Sequence, residues 1–405
     1  MRSVSPFKAL LILTLIMSVV SGIGAGAAVA ADGLVIWTSE AQVPALSPMA
    51  KQFEEEYGVP VTLREVSFGD IRPNFVISAP TGQGPDLIVG AHDWVGELAR
   101  TGLLEPIELT PAQREQFTPV SLQAFTYGGK LYGLPYAIEA IALMYNKDLV
   151  PEPPQSFDEL LAIARRLTDP AQRRYGFLYP NNEFYYAFPF LAAKGGYAFR
   201  FTGEGFDPSD IGVDNAGAIE GARLLQRLAV EGLVPRGTDY QSMRGLFLEG
   251  RVGMVLTGPW DIVNARSAGI RYGVAKIPAI DGNPARPFVG VQGFMINSFS
   301  PNKLLAMEFL QRFVMTKEGQ LAIWRGDPRV PALKAAFQEV AADPDVAAFG
   351  ASAADGIPMP NIPEMAVVWT ALNDAMTFIV NGERTPEVAL REAAQKIRNA
   401  LAAGQ

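Results

Sequence analysis

Past residue 33 the chain alternates short apolar runs with longer amphipathic stretches. Leu34-Val35-Ile36-Trp37 is a compact apolar run, and the stretch from Ser47 to Tyr57 has helical spacing and stops at Gly58. Val61 to Val66 alternates with the period of two that a half-buried strand shows. Asp86-Leu87-Ile88-Val89 reads as a buried strand introduced by the turn pair Gly84-Pro85. Ser156 with Glu159 predicts a capping box ahead of a helix from Leu160 to Leu167, and Thr385-Pro386 opens the C-terminal helix with proline in its first turn. Further strands are expected at Val252 to Leu256, Tyr272 to Lys276 and Phe288 to Asn297. Strand and helix taking turns in this way predicts an α/β fold with largely parallel sheets.

The first thirty residues break that pattern. Arg2 and Lys8 precede an apolar run from Ala9 to Val20, and small residues lead to Ala28-Val29-Ala30. A basic start, a short apolar centre and an A-x-A end form a secretory signal, with cleavage expected near Ala30. The rival is an uncleaved anchor over Ala9 to Ala31, but the run fades into glycine and alanine where a membrane span should stay strongly apolar. Removing 1–30 takes away two bases and no acid, so the formal charge moves from −8 to −10. The remaining 375 residues suit two domains.

Composition narrows the chemistry. The chain has one His, His92, and no Cys. Thiol nucleophiles, disulfides and cysteine-based metal sites are excluded, no metal or cofactor is called for, and a cysteine-linked lipid anchor has no attachment point. The acidic balance argues against nucleic acid as a partner. His92, between a buried-type strand and Asp93, reads as structural. Asp86 reads as a turn or packing residue, and Glu54-Glu55-Glu56 as a solvated helix face.

One segment departs sharply from the background. Phe177 to Phe190 holds seven aromatics in fourteen residues, in a chain that is 10% aromatic. Phe188 and Phe190 suit a core, whereas Asn181, Asn182, Glu183, Tyr185 and Tyr186 combine amides, a carboxylate and amphipathic rings. A sugar needs that mixture: flat rings for its C–H face, and acceptors and donors for its hydroxyl rim.

Several strings along the chain carry a resemblance to a known family. They include Gly84-Pro85-Asp86, Ala91-His92-Asp93, Tyr145-Asn146-Lys147-Asp148-Leu149 and Gly212-Val213-Asp214-Asn215-Ala216-Gly217. Gly258-Pro259-Trp260, Pro287-Phe288-Val289-Gly290-Val291 and Met359-Pro360-Asn361-Ile362-Pro363 follow in order. On these the chain resembles the maltose/maltodextrin-binding branch of the family-one extracellular solute-binding proteins of ABC importers. The resemblance implies a two-lobe periplasmic-binding fold with a hinge and a ligand cleft between the lobes. The lobes would be 31–138 with about 292–340, and about 139–291 with 341–405. It also implies an oligosaccharide ligand, a membrane permease as partner, a free periplasmic monomer and no catalysis.

Carried across position by position, the resemblance assigns Asp93 and Glu139 as hydroxyl acceptors. Glu183, Tyr185 and Tyr186 become the second lobe's sugar contact, Tyr240 a further aromatic contact, and Trp260 and Trp369 the stacking rings. Without the resemblance, core burial was the better reading of Trp369 and an even one for Trp260. Three departures stand out. Gly90 and Trp94 replace a Trp and an Arg flanking Ala-His-Asp, so that one stacking ring is lost and Trp94 gained. An Asp-Lys pair becomes Ser39-Glu40-Ala41-Gln42, leaving Glu40 as an acceptor without the lysine, and Asn373 replaces an Arg. The sugar class survives these changes and its identity does not. The alternatives are a secreted glycoside hydrolase, for which Asp93, Glu139 and Glu183 supply carboxyls, or a binding protein for another sugar or a non-sugar solute.

Overall fold

The computed structural model describes residues 33–203 and 205–403, so the export signal expected at 1–30 lies outside the described residues. Eleven strands make two large sheets: β1 Leu34–Thr38, β2 Val61–Glu65, β3 Leu87–Ala91, β4 Leu134–Glu139, β5 Ala142–Asn146, β6 Tyr175–Leu178, β7 Val252–Thr257, β8 Tyr272–Ala275, β9 Phe288–Ile296, β10 Val330–Pro331 and β11 Ile357–Pro358. The first sheet runs β10-β4-β9-β3-β1-β2, with β11 also paired to β9, and the second runs β8-β5-β7-β6. Helices flank both sheets, giving the α/β fold that the alternation predicted and the two-lobe form that the resemblance implied.

The sheets are mixed rather than largely parallel, which corrects the sequence expectation. β1, β2 and β3 pair in parallel, as do β6 and β7. β9 runs antiparallel to both β3 and β4, and β5 antiparallel to both β7 and β8. The physical reason lies in the crossings. A strand reached through a helix returns parallel to its predecessor, whereas β5 enters the second sheet directly from β4 through Ala140-Ile141, and β9 returns to the first sheet from the second. In β9 every residue but Val289 is fully buried, which suits a strand paired on both edges.

Local signals fared as their chemistry allows. Gly58 closes the first helix in the left-handed region at φ 66°, but that helix begins at Val43, not Ser47, with Pro44 in its first turn. Ser156 caps its helix by accepting from the Glu159 N–H at 3.2 Å, while the Glu159 carboxylate reaches back to the Gln155 N–H at 2.7 Å instead of completing the box. Asp86 ties strands together, accepting from the Val35 N–H at 2.7 Å and the Ser300 hydroxyl at 2.5 Å. Among the described residues no helix is long and apolar enough to cross a membrane.

Candidate ligand-binding cleft

A cavity of about 600 Å³ opens beyond the carboxyl ends of the strands. That is where open α/β sheets place their ligands, and the volume falls within the ~300–1,000 Å³ usual for small-ligand sites. Glu40 follows β1, Asp93 and Trp94 form the single turn after β3, and Glu139 ends β4. Glu183, Tyr185 and Tyr186 start the helix Phe184–Ala193, and Tyr240 starts Tyr240–Leu248. Trp260 lies in the turn after β7, and Trp369 in the helix Met365–Asn381. All ten line this cavity.

On the first lobe, Gln42 organises the loop after β1: its Oε1 accepts from the Thr38 hydroxyl, the Ser39 N–H and the Ser39 hydroxyl. Glu40 is then held out to Arg244 of the other lobe, which donates to its carboxylate at 2.9 Å. His92 is buried and fully used: Nδ1 accepts from the Val291 N–H at 3.0 Å, so the proton sits on Nε2, which donates to the Met359 carbonyl at 2.9 Å. Burial pushes its pKa down, keeping the ring neutral and structural. The next residue, Asp93, faces the cavity and accepts from the Trp369 indole N–H at 2.9 Å, a bond across the cleft. Burial pushes its carboxyl above the ordinary value.

Trp94 takes a different posture from a free stacking platform. It is only 7% exposed, and its ring lies on the Gly90 backbone so closely that a Cβ at 90 would stand 1.9 Å from Cζ3. Trp260 repeats the construction on the second lobe, where a Cβ at Gly258 would stand 2.2 Å from the indole. In each lobe a strand-end glycine makes room for a tryptophan folded back over it.

A buried polar chain runs beneath the cavity. Gln42 Nε2 donates to the Tyr136 hydroxyl at 3.0 Å, which donates to Asp327 at 3.0 Å. Arg329, 5% exposed, donates to Asp327 and, through Nε, to Glu139 at 2.5 Å. Gln292 donates to the other Glu139 oxygen at 2.8 Å. Burial works against the Arg329 charge, but Asp327, Tyr136 and Glu139 hold its pKa well above the ordinary value. Its guanidinium also sits 5.5 Å from the centre of the Trp260 ring. Glu139 therefore faces the cavity with both oxygens already engaged, yet a carboxylate has about four acceptor positions and two remain.

The second wall is aromatic. The Tyr185 ring has Trp260 at 6.5 Å and Trp369 at 6.4 Å, and Tyr186 stacks on Tyr240 at 6.3 Å. Tyr240 donates to Asp261 at 2.8 Å, which fixes its ring. The Tyr185 hydroxyl and Gln292 Oε1 are buried without a hydrogen-bond partner among the described residues. Glu183 precedes its helix without capping it, and its carboxylate accepts no hydrogen bond among those residues. Burial first, then the charge of Asp239, pushes its pKa up to about 7. Buried polar groups are normally satisfied, so these groups mark where a polar ligand would bond.

One expectation needs correcting. Asn181 turns away, buried, donating to the Pro235 carbonyl at 2.7 Å, and neither it nor Asn182 lines the cavity. Asn373 does line it, but its Oδ1 accepts from the Phe184 N–H at 2.8 Å and so serves the start of that helix. The sequence reading also missed Phe68, Arg72, Arg244, Gln292 and Arg329, all on the cavity wall. Phe68 had a readable signal, since it falls on one helical stripe with Ile71 and Phe75. Arg329 had none, for Glu139 and Trp260, which it meets on the cavity wall, lie far away in sequence. Among the described residues no group of three His, Asp or Glu could hold a metal ion.

Comparison with known proteins agrees with this geometry. Residues 48–348 match the model of the bacterial extracellular solute-binding protein family. A galactooligosaccharide-binding protein of Bacillus subtilis (strain 168) is 31% identical over 380 residues, covering 91% of this chain and 90% of the relative. A maltotriose-binding protein of Pyrococcus abyssi is 34% identical over 329 residues, covering 79% and 71%. A maltodextrin-binding protein of Bacillus subtilis (strain 168) is 28% identical over 381 residues, covering 90% and 89%. With a two-lobe fold, a ring-lined cleft between the lobes and a family match over most of its length, the chain belongs to the bacterial extracellular solute-binding proteins.

Proposed function

We propose that this protein binds neutral oligosaccharides of the maltodextrin type in the cleft and delivers them to the membrane permease of an ABC importer, without chemistry of its own. One observation carries the reading: a row of rings (Trp260, Tyr185, Trp369) shares a single cavity with the carboxylates Asp93, Glu139 and Glu183, drawn from both lobes. Rings suit the C–H face of a pyranose and carboxylates its hydroxyls. The three guanidiniums on the wall, Arg72, Arg244 and Arg329, are each neutralised by a carboxylate of the protein, which favours an uncharged ligand. The names of the relatives support the oligosaccharide class.

The lobes are taken as 31–138 with about 292–340, and about 139–291 with 341–405. The two sheets, joined through Ala140-Ile141, support a division into two lobes, with Glu139, all of β9 and β11 on the side of the first sheet. A sugar touching both walls would favour closure by its differential affinity for the closed form. The chain acts as a monomer in the periplasm, with no nucleic acid, metal or cofactor, and its lack of Cys supports an unanchored form. A thermal-shift screen over maltose, maltotriose, galactooligosaccharides, trehalose, sucrose and polyamines tests the ligand class. Stabilisation by an oligosaccharide alone is expected, and a response only to polyamines would overturn it. Incubation with maltodextrins should yield no new reducing ends, and their release would restore the hydrolase reading.

A further inference from the structure

The stacking ring expected on the first lobe was Trp94, but its ring lies on Gly90 and only 7% of the residue is exposed. Its neighbour Phe68 has the opposite character. The Phe68 ring stands 5.1 Å from Trp94 at a 40° tilt, lines the cavity and is 40% exposed. It opens the helix Phe68–Ser78, whose inward residues Ile71 and Phe75 are fully buried. Spacings of three and seven put Phe68 on that same apolar stripe, so the stripe continues past the core and ends with a ring in the cleft. Arg72, one turn further along, lines the cavity and spends one N–H on Glu97. A guanidinium has five N–H donors, so others remain for hydroxyl groups.

We propose that Phe68 and Arg72 form a separate stacking subsite on the first lobe. It takes a sugar ring beyond those held along Trp260, Tyr185 and Trp369, and so sets the chain length the protein prefers. The inference rests on the oligosaccharide reading above. The subsite adds nothing for a ligand too short to reach it. For a longer one it supplies an apolar face backed by Trp94, with donors at its edge.

Calorimetric titration of the purified protein with maltose, maltotriose and maltotetraose, and with galactooligosaccharides of matching lengths, tests this. Phe68→Ala should weaken the longest bound sugar at least tenfold while changing the disaccharide less than twofold, and Phe68→Trp should restore the preference for length. An equal loss at every length, or no loss at any, overturns the subsite while leaving the oligosaccharide reading intact. A wild type that binds neither series overturns both. Because Phe68 is exposed at a helix start, a circular-dichroism melt should match the wild type.

Discussion

Arg329→Met would test whether the buried polar chain holds the floor of the cleft. The guanidinium contacts Asp327, Glu139 and the face of Trp260, and both carboxylates are less than a tenth exposed. Methionine keeps most of the volume and removes the charge, leaving two buried carboxylates with neutral donors, Gln292 and Tyr136, and no cation. Breaking a buried pair by deleting one partner costs ~3–5 kcal/mol, because the other charge is stranded. At roughly 2–4 °C per kcal/mol for a unit of 150–250 residues, the melting midpoint should fall by about 6–20 °C at pH 7.5. The pH dependence separates this cause from lost packing. Burial already raises the Asp327 pKa, and the Arg329 charge is the largest influence pulling it back. Without Arg329 the folded pKa lies further above its unfolded value. Such a carboxyl destabilises the fold at high pH, and the penalty fades as the pH falls through the folded pKa and the group takes up its proton. Melts followed by circular dichroism should therefore show the gap to wild type narrowing from pH 7.5 to pH 5. A gap below about 1 kcal/mol at pH 7.5, or one that stays constant between the two, would refute the reasoning.

Other consequences are open to measurement. Trp260→Ala should weaken the preferred oligosaccharide by more than about tenfold, ~1.4 kcal/mol, in a protein that still melts cooperatively; unchanged calorimetric affinity would take Trp260 out of the site. The Glu183 carboxyl, with its pKa near 7, accepts hydroxyl bonds best when ionised, so affinity should rise from pH 6 to pH 8 and that slope should flatten in Glu183→Gln. A wild-type affinity independent of pH over that interval would count against Glu183 as an acceptor. Gly90→Ala puts a methyl group into the Trp94 ring and should cost ~1–3 kcal/mol in urea unfolding, recovered when Trp94 is also changed to Leu; a tolerated single substitution would show the ring is free to move.

Six strands, β1, β2, β3, β7, β8 and β9, were legible because each apolar run is a local fact, whereas β4, β5 and β6 were missed. Strand direction was not legible, because β5 and β9 are reversed by crossings between sheets that no window of sequence contains. The same division holds in the cleft. Residues with a local signature, such as Glu183, Tyr185 and Tyr186 in their aromatic segment, could be picked out by composition. Trp369 could not: its indole bonds to Asp93 across 276 positions, and the helix around it reads as core. Arg329 meets Glu139 across 190 positions, so an arginine of ordinary appearance becomes one of the most buried charges in the chain. Glu40 was reached through the resemblance, yet only the fold brings Arg244 to it.

The Gly90 and Trp94 departures show how a comparison by position can misread physics. Taken singly, they are the loss of one ring and the gain of another. In the fold they are a single arrangement, because the space into which a side chain at 90 would project is occupied by the Trp94 indole, reaching back from four residues later. Neither change is tolerable alone: a large residue at 90 excludes the ring of 94, and a glycine at 90 without that ring leaves a void beside the cavity. The strand end after β7 is built in the same way from Gly258 and Trp260, so each lobe presents a tryptophan braced on the backbone of a glycine. Bracing costs Trp94 one face for stacking. That is why Phe68, with its exposed ring in front of the braced one, becomes the surface that a ligand on the first lobe would meet.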